Sequence, residues 1–131
     1  MAASARRLKL ICITSVLAFG LSGCALFRPA PIEWNDTKWC VPLELKVVLR
    51  KVARKFGPIR IHSTHRWPRE NKRKRGKSKS YHLKCRAVDF SVIGGATGVT
   101  EFLKSQSAVG GYSYYPHQSF YHIDNGPRRT W

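Results

Sequence analysis

Two histidines and an aspartate in this sequence have the side chains of a metal site. Asp89 lies in a segment of alternating apolar and polar residues, which predicts a strand with the carboxylate on its polar face. A carboxylate left unpaired in a protein interior is costly, so a partner is expected. His82 precedes Asp89 by seven residues, close enough to return to that face, and His122 lies in a later alternating segment. If the two strands are neighbours, the three side chains converge.

Two imidazoles and one carboxylate around an open position are typical of a catalytic zinc site, whereas structural zinc sites are filled by four protein ligands. The residues therefore predict zinc bound by His82, Asp89 and His122. Taken singly, each histidine is more often an ordinary surface or hydrogen-bonded side chain. The prediction depends on all three meeting.

The segments that must position these residues can be recognised by their hydrophobic spacing. A helix is predicted from Pro42 until Gly57 and Pro58, because its apolar residues recur at helical intervals on one face. A second, shorter helix is predicted over residues 97–107. The predicted strands cover residues 59–63, 86–92, 112–115 and 119–124. This order predicts an α+β domain with a small, mainly antiparallel sheet flanked by helices.

The start of the sequence is typical of a secretory signal peptide. Basic residues precede an almost continuous apolar run over residues 8–21, which is too short to cross about 30 Å of hydrocarbon. The stretch LSGC that ends at Cys24 resembles a bacterial lipobox, in which the cysteine becomes the lipidated first residue. Cleavage without lipidation is the alternative. The predicted organisation is a signal peptide over 1–23, a lipidated tether over 24–39 and one domain over 40–131.

Two cysteines remain once the leader and the lipidation site are set aside. Cys12 lies in the leader and Cys24 is the expected lipidated residue, which leaves Cys40 and Cys85 in an oxidising compartment. Such a pair predicts one disulfide. Metal ligation by these thiols is a weaker alternative, because neither belongs to a CxxC pair or has a histidine at zinc-finger spacing.

The sequence is strongly basic, with 24 Lys and Arg against 7 Asp and Glu and a formal net charge of +17. Six of the eight residues from Lys72 to Lys79, here named the basic loop, are Lys or Arg. The loop is either a solvated mobile segment or an anion-binding lip. In an intracellular protein this charge would suggest nucleic acid, but a secretion signal argues against that partner. Anionic envelope polymers and lipid headgroups are the polyanions expected instead.

Residues 80–89, SYHLKCRAVD, resemble the SxHxxGxAxD motif of the zinc D-Ala-D-Ala carboxypeptidases and their relatives. That group shares a fold with the hedgehog signalling domain and the lysostaphin-type endopeptidases. The end of the sequence resembles the closing motifs of a small bacterial branch of the group: residues 110–116 resemble GGxGYYP, and residues 122–131 resemble HxDxGP…W. Residues 63–66 match the SxxR stretch of the same branch. The likeness covers residues 40–131.

The resemblance implies roles for individual residues. His82, Asp89 and His122 match the zinc ligands of the family. Arg66 matches the arginine that holds the free carboxylate or a neighbouring carbonyl of the peptide, a task to which the guanidinium fork is suited. Ser80 is expected to orient the loop or the substrate.

Two positions depart from the family pattern. Cys85 replaces the motif glycine, and a disulfide to Cys40 would explain this by fixing the loop. Family members often carry the catalytic base just before the last ligand, where residues 119–120 are serine and phenylalanine. Asp124 and His117 are the remaining candidates for the base. Asp124 is slightly favoured, and its alternative role is to orient a ligand histidine.

As a whole, the resemblance implies a zinc-dependent peptidase that hydrolyses peptidoglycan stem or cross-link peptides, as a D-Ala-D-Ala carboxypeptidase or a murein endopeptidase. The alternative is a catalytically inactive homologue that binds cell-wall polymer through the basic loop. The expected partners are peptidoglycan peptide and, through Cys24, the membrane, but not nucleic acid. We expect a monomeric lipoprotein of the cell envelope that faces the periplasm. The outer membrane is favoured because Ala25, and not an aspartate, follows the cysteine.

Overall fold

A computed structural model describes residues 30–131, which form six strands and three helices. The strands are β1 Ile32–Trp34, β2 Ile59–Ser63, β3 Ala87–Val92, β4 Gly111–Tyr115, β5 Phe120–Asp124 and β6 Arg129–Thr130. The helices are α1 Leu43–Phe56, α2 Pro68–Arg73 and α3 Val99–Ser105. Short 3-10 turns at Tyr81–Lys84 and Pro116–Gln118 precede β3 and β5.

All six strands belong to one sheet in the order β1-β2-β3-β5-β4-β6. The four inner strands pair antiparallel, but β1 pairs parallel with β2 and β6 pairs parallel with β4. The predicted α+β class is confirmed, whereas the prediction of a mainly antiparallel sheet is wrong, because the sheet is mixed. The two parallel edge strands have three and two residues, too few to show the alternation by which strands are recognised.

The two faces of the sheet have different surroundings. One face packs against α1 and α3, and buried apolar residues from the strands and helices form the core. The alternation of β3 and β5 divides the side chains: Val88, Phe90 and Ile123 lie in the core, whereas Asp89 and His122 lie on the opposite, polar face. The polar face is therefore free to carry a site without disturbing the core.

Most predicted elements are present, with small shifts at their ends. The predicted strand at residues 59–63 is β2, and α1 ends at Phe56 because Gly57 follows with φ 100°, a conformation that suits glycine. Helix α2 was not predicted. It is a short, highly charged helix that begins at Pro68, a residue favoured at the first helical position, and it has no apolar period.

The predictions for the start of the chain have mixed outcomes. The signal peptide and the lipidation site at Cys24 lie outside the described residues. The tether prediction is wrong for residues 32–34, which form β1 and pair with β2. Within residues 30–131, no helix is long and apolar enough to span a membrane.

The predicted disulfide between Cys40 and Cys85 is present, with a Cα–Cα separation of 5.1 Å. It joins the segment before α1 to the turn that contains His82. Cys85 has φ 55° and ψ 35°, in the left-handed region, where a residue with a Cβ is disfavoured by about 1–2 kcal/mol. Glycine avoids this cost, which explains the glycine of the related motif. In this chain, the disulfide holds a cysteine in that conformation instead.

We expect the disulfide and the backbone conformation of Cys85 to have separable effects on stability. Cys40→Ala should lower the free energy of unfolding by about 3–4 kcal/mol, because the bridge closes a loop across 45 residues. Cys85→Gly and Cys85→Ala both remove the bridge, but the glycine variant should be more stable by about 1 kcal/mol. Urea denaturation of the oxidised proteins measures all three. Equal stabilities for the two Cys85 variants would contradict the conformational argument.

Candidate metal centre

His82, Asp89 and His122, here named the ligand cluster, meet at one point on the polar face of the sheet. Antiparallel pairing of β3 and β5 places Asp89 directly opposite His122, and the turn before β3 returns His82 to them. Oδ1 of Asp89 lies 3.1 Å from Nε2 of His82 and 2.8 Å from Nδ1 of His122. The two ring nitrogens are 3.3 Å apart, and all three side chains are buried. These are the residues that the sequence predicted would converge.

His82 is oriented by the backbone behind it. Its Nδ1 lies 2.7 Å from the carbonyl oxygen of Thr64, which can only accept, so Nδ1 donates. In the neutral ring, Nε2 then carries a lone pair directed at the rest of the cluster. Thr64 is itself held in place, because its N–H donates to the carboxylate of Asp36 at 2.8 Å.

His122 is oriented in the same manner by Asp124. Nε2 of His122 lies 3.2 Å from Oδ2 of Asp124, and Nδ1 is the nitrogen that faces the cluster. The buried Asp124 carboxylate also accepts from the N–H groups of Gly111 and Gly126, at 3.2 Å and 2.8 Å, and from Arg129 at 2.6 Å. Four donors surround this carboxylate, so it is fully engaged by its neighbours.

Two glycines of the closing motif make room for these contacts. Gly111 lies opposite Asp124 in the β4–β5 pair, and a Cβ there would collide with the carboxylate. A Cβ on Gly126 would collide with the ring of Tyr81. Gly111 therefore requires glycine because of its close approach to a buried carboxylate, whereas a side chain at Gly126 would displace the ends of Tyr81 and Arg129.

Arg66 reaches the outer oxygen of Asp89. Strand β2 contains a β-bulge, since Ile61 pairs with Phe90 but Ser63, two residues further on, pairs with Asp89. The bulge turns Ser63 to the polar face, where its Oγ accepts a hydrogen bond from Nε of Arg66 at 3.0 Å. The guanidinium also donates to Oδ2 of Asp89. Asp89 thus has one oxygen on the arginine and the other on the two histidines.

The ionisation of the cluster follows from these contacts. Burial alone would raise the pKa of Asp89, but its close contacts with His122 and His82 outweigh it and hold this pKa far below its ordinary value. Burial would lower the pKa of His122, but its hydrogen bonds to Asp124 and Asp89 produce a net rise. Burial likewise opposes ionisation of Asp124, yet its contacts with His122, Gly126 and Arg129 lower its pKa. Both carboxylates are therefore negative at neutral pH and favour a cation between them.

An open cleft of about 820 Å³ lies over the ligand cluster. Arg66 and Ser80, the residues predicted to contact substrate, both line it, and so does Asp124. His117 does not line it and lies exposed in the 3-10 turn before β5. The fold therefore brings every predicted metal-binding, substrate-binding and catalytic residue except His117 to this cleft.

The basic loop forms one side of the cleft. Buried Asn71 anchors it by donating from Nδ2 to the carbonyl of Lys77 at 2.9 Å. The cleft-lining cations are Arg66, Lys74, Arg75, Lys77, Lys79 and Arg129. The two carboxylates in the cleft are already paired with arginines, and Lys74 pairs with Glu70, which leaves the charges of Arg75, Lys77 and Lys79 to an anion. This position favours the anion-binding interpretation of the loop.

Some contributions to the site were not predicted from the sequence. Arg129 holds Asp124, and the ring of Trp131 lies 5.3 Å from that of His122. Both residues belong to the closing segment that resembles the family, and this membership is the signal that could have identified them. Thr64 contributes through a backbone carbonyl, which no pattern of side chains reveals.

Comparisons with known proteins point to one family. The family model described as Peptidase M15 matches residues 25–124, which are 100 of the 131 residues. The peptidoglycan L,D-endopeptidase MepK of Escherichia coli K12 is 37% identical over 79 residues, covering 56% of this chain and 43% of that protein. The probable peptidoglycan L,D-endopeptidase MepK of Haemophilus influenzae is 40% identical over 57 residues, covering 40% of this chain and 28% of that protein. The chain therefore matches less than half the length of these relatives.

The family match includes the whole ligand cluster, together with Arg66 and Asp124. It also includes every helix of the described domain and the inner strands that carry the cluster. The chain belongs to the peptidase M15 family.

Proposed function

We propose that this chain is a zinc-dependent peptidase that hydrolyses stem or cross-link peptides of peptidoglycan. The observation that carries the proposal is the pair of oriented histidines. Each ring has one nitrogen bonded to an acceptor, the carbonyl of Thr64 or the carboxylate of Asp124. The remaining nitrogens lie 3.3 Å apart beside Asp89. With both rings neutral, two lone pairs at that distance repel each other, and either a bound cation or a proton on His122 removes that repulsion.

The donor set fits Zn²⁺. Imidazole and carboxylate ligands at about 2.0–2.2 Å in tetrahedral geometry are separated from each other by roughly 3.3 Å. The three separations within the cluster are 2.8, 3.1 and 3.3 Å. Three protein ligands leave one position open, as in catalytic sites. A zinc ion held there would supply Lewis acidity to the scissile carbonyl and to the attacking water.

The protein's own residues would position the peptide. Nε and Nη2 of the Arg66 guanidinium contact Ser63 and Asp89, and its Nη1 group can donate to a carboxylate or carbonyl of the substrate. Ser80 stands at the edge of the same cleft and would orient the peptide backbone. The basic loop suits stem peptides, which carry several carboxylates. The L,D-endopeptidase names of the relatives favour cleavage within a peptide over carboxypeptidase action.

The geometry favours Asp124 as the carboxylate that orients His122 and not as the base. A base needs a lone pair open to the water, and the Asp124 carboxylate already accepts from four donors. His117, the other candidate from the sequence, lies outside the cleft. The proton-accepting group must therefore be sought elsewhere in the cleft.

Peptide release from purified peptidoglycan tests the metal, the substrate class and the activity together. We expect the wild-type protein to release peptides detectable by mass spectrometry, a chelator to stop the release, and added zinc to restore it. His82→Ala combined with His122→Ala should lose both bound zinc and activity. His65→Ala, a histidine outside the cleft, should lose neither.

A different result would favour the alternative function. If the wild-type protein binds peptidoglycan in a chelator-independent manner but releases no peptide, the chain is a binding module that uses its basic loop. Full zinc content in the doubly substituted variant would overturn the assignment of the ligand cluster.

Asp124→Asn tests whether this carboxylate orients a ligand. Because the amide cannot accept from Nε2 of His122 as strongly, we expect zinc affinity to fall about 10–100-fold, as measured by competition with a chromogenic chelator. At saturating zinc, the hydrolysis rate should largely recover. Glu101→Gln, which removes an exposed carboxylate on α3, should change neither quantity. An unchanged zinc affinity with a rate at least about 10²-fold lower would identify Asp124 as the base.

We also propose that the domain is exported and held at the cell envelope by lipid on Cys24, after removal of residues 1–23. The basic, apolar and small-residue order of the leader supports this. Multiple acyl chains anchor a protein stably where one does not. Cys24→Ser should therefore move the monomeric protein from the membrane fraction to the soluble fraction and remove the lipid mass. Unchanged partitioning and mass would exclude lipidation.

A further inference from the structure

One imidazole in the cleft has no part in the ligand cluster. His62 lines the same cleft as His82 and His122, and its side chain is exposed. We propose that His62 is the catalytic residue that carries the proton during peptide hydrolysis, an inference that rests on the proposed peptidase function. Imidazole is the group that proteins most often use for general acid–base catalysis.

The strand register places His62 beside the cluster. By the alternation of β2, His62 points to the polar face while Ile61 points to the core. Its Nε2 lies 2.8 Å from Oγ of Ser91, a residue two positions beyond Asp89 on the same face of β3. One such strand repeat is roughly 6–7 Å. His62 and the cluster line one cleft, and in this proposal the attacking water lies in that cleft, within hydrogen-bond reach of His62.

The hydrogen bond to Ser91 prepares the ring for proton transfer. When Nε2 donates to the serine hydroxyl, Nδ1 carries the lone pair that can accept a proton. Nδ1 makes no hydrogen bond within the described part of the chain. The ring of Phe120 lies 6.4 Å away and bounds the imidazole on the side of β5. His62 thus has one nitrogen fixed and the other available.

The other cleft-lining groups are unsuited to this task. The hydroxyl of Tyr115 already accepts from Nε1 of Trp131 at 2.6 Å. The ring of Tyr81 is stacked between the guanidinium groups of Arg86 and Arg129, at 5.1 and 4.8 Å. The cations of the basic loop are donors without a lone pair. The two cleft carboxylates are committed to arginines and histidines.

The proton balance of the step is simple. As the water oxygen bonds to the peptide carbonyl carbon, one water proton passes to Nδ1 of His62. When the C–N bond breaks, the leaving nitrogen takes that proton, and the imidazole returns to its neutral form. The second water proton passes from the new carboxylic acid to the amine, so the products are a carboxylate and an ammonium group.

His62→Ala tests the proposal in the zinc-loaded, full-length protein. We expect kcat for peptide release to fall about 10²–10⁴-fold, KM to change little, and zinc to remain at one equivalent by elemental analysis. Because His62 is exposed in an open cleft, added free imidazole should restore part of the lost rate. A merely structural role would not respond to imidazole. His65→Ala is the matched control and should keep kcat, KM and zinc content.

Each other outcome overturns the proposal in a recognisable way. A wild-type rate in His62→Ala excludes His62 while leaving the peptidase function intact, and so does a loss of rate that follows loss of zinc. A fall in rate for His117→Ala, with His62→Ala unaffected, would move the role to the turn histidine. A wild-type protein that releases no peptide overturns the proposed function and this inference together.

Discussion

The structure of this domain depends on bringing three electron-pair donors to one point. Two imidazole nitrogens and a carboxylate oxygen from His82, His122 and Asp89 lie within about one hydrogen-bond length of each other in a buried position. The arrangement requires that β3 and β5 be neighbours in one particular register. A slip of one residue would turn Asp89 or His122 into the apolar core, because side chains alternate between faces. The same pairing of β3 with β5 therefore fixes both the register of the sheet and the geometry of the site.

Each of the three ligand residues contacts a different kind of group outside the cluster. A backbone carbonyl orients His82, a carboxylate orients His122, and a guanidinium contacts Asp89. These outer contacts decide which nitrogen faces the centre, and so they matter to metal affinity nearly as much as the ligands do. Close packing supports them: Gly111 leaves space for the Asp124 carboxylate. The Cys40–Cys85 disulfide holds the left-handed turn that follows His82.

The two faces of the sheet have different roles: one packs in the core and the other carries the site. Its apolar face is covered by α1 and α3, which gives the strands a fixed platform. Its polar face carries the ligand cluster, the bulge that turns Ser63 outward, and the basic loop along the edge of the cleft. In the proposed function, a peptide in this cleft would meet the ligand cluster below and the cations of the basic loop at the side.

Much of this protein could be predicted from the sequence, because local patterns carry local structure. The spacing of α1 and the alternation of β2 and β3 were sufficient for the α+β class, and the motif around His82 was sufficient for the convergence of the cluster. The disulfide followed from the two cysteines that remain once the leader and the lipidation site are set aside. The two parallel edge strands and α2 were missed, since they are too short or too charged to show a period.

Only the tertiary structure determined which groups contact the ligand residues from outside the cluster and which groups share the cleft with them. The engagement of Asp124 by four donors, the exclusion of His117 and the place of His62 in the cleft all arise from contacts between distant strands and turns. Residue type indicates which groups could donate, accept or ligate. Which of their atoms remain free depends on neighbours that are adjacent only in space, and single-sequence patterns contain no such information.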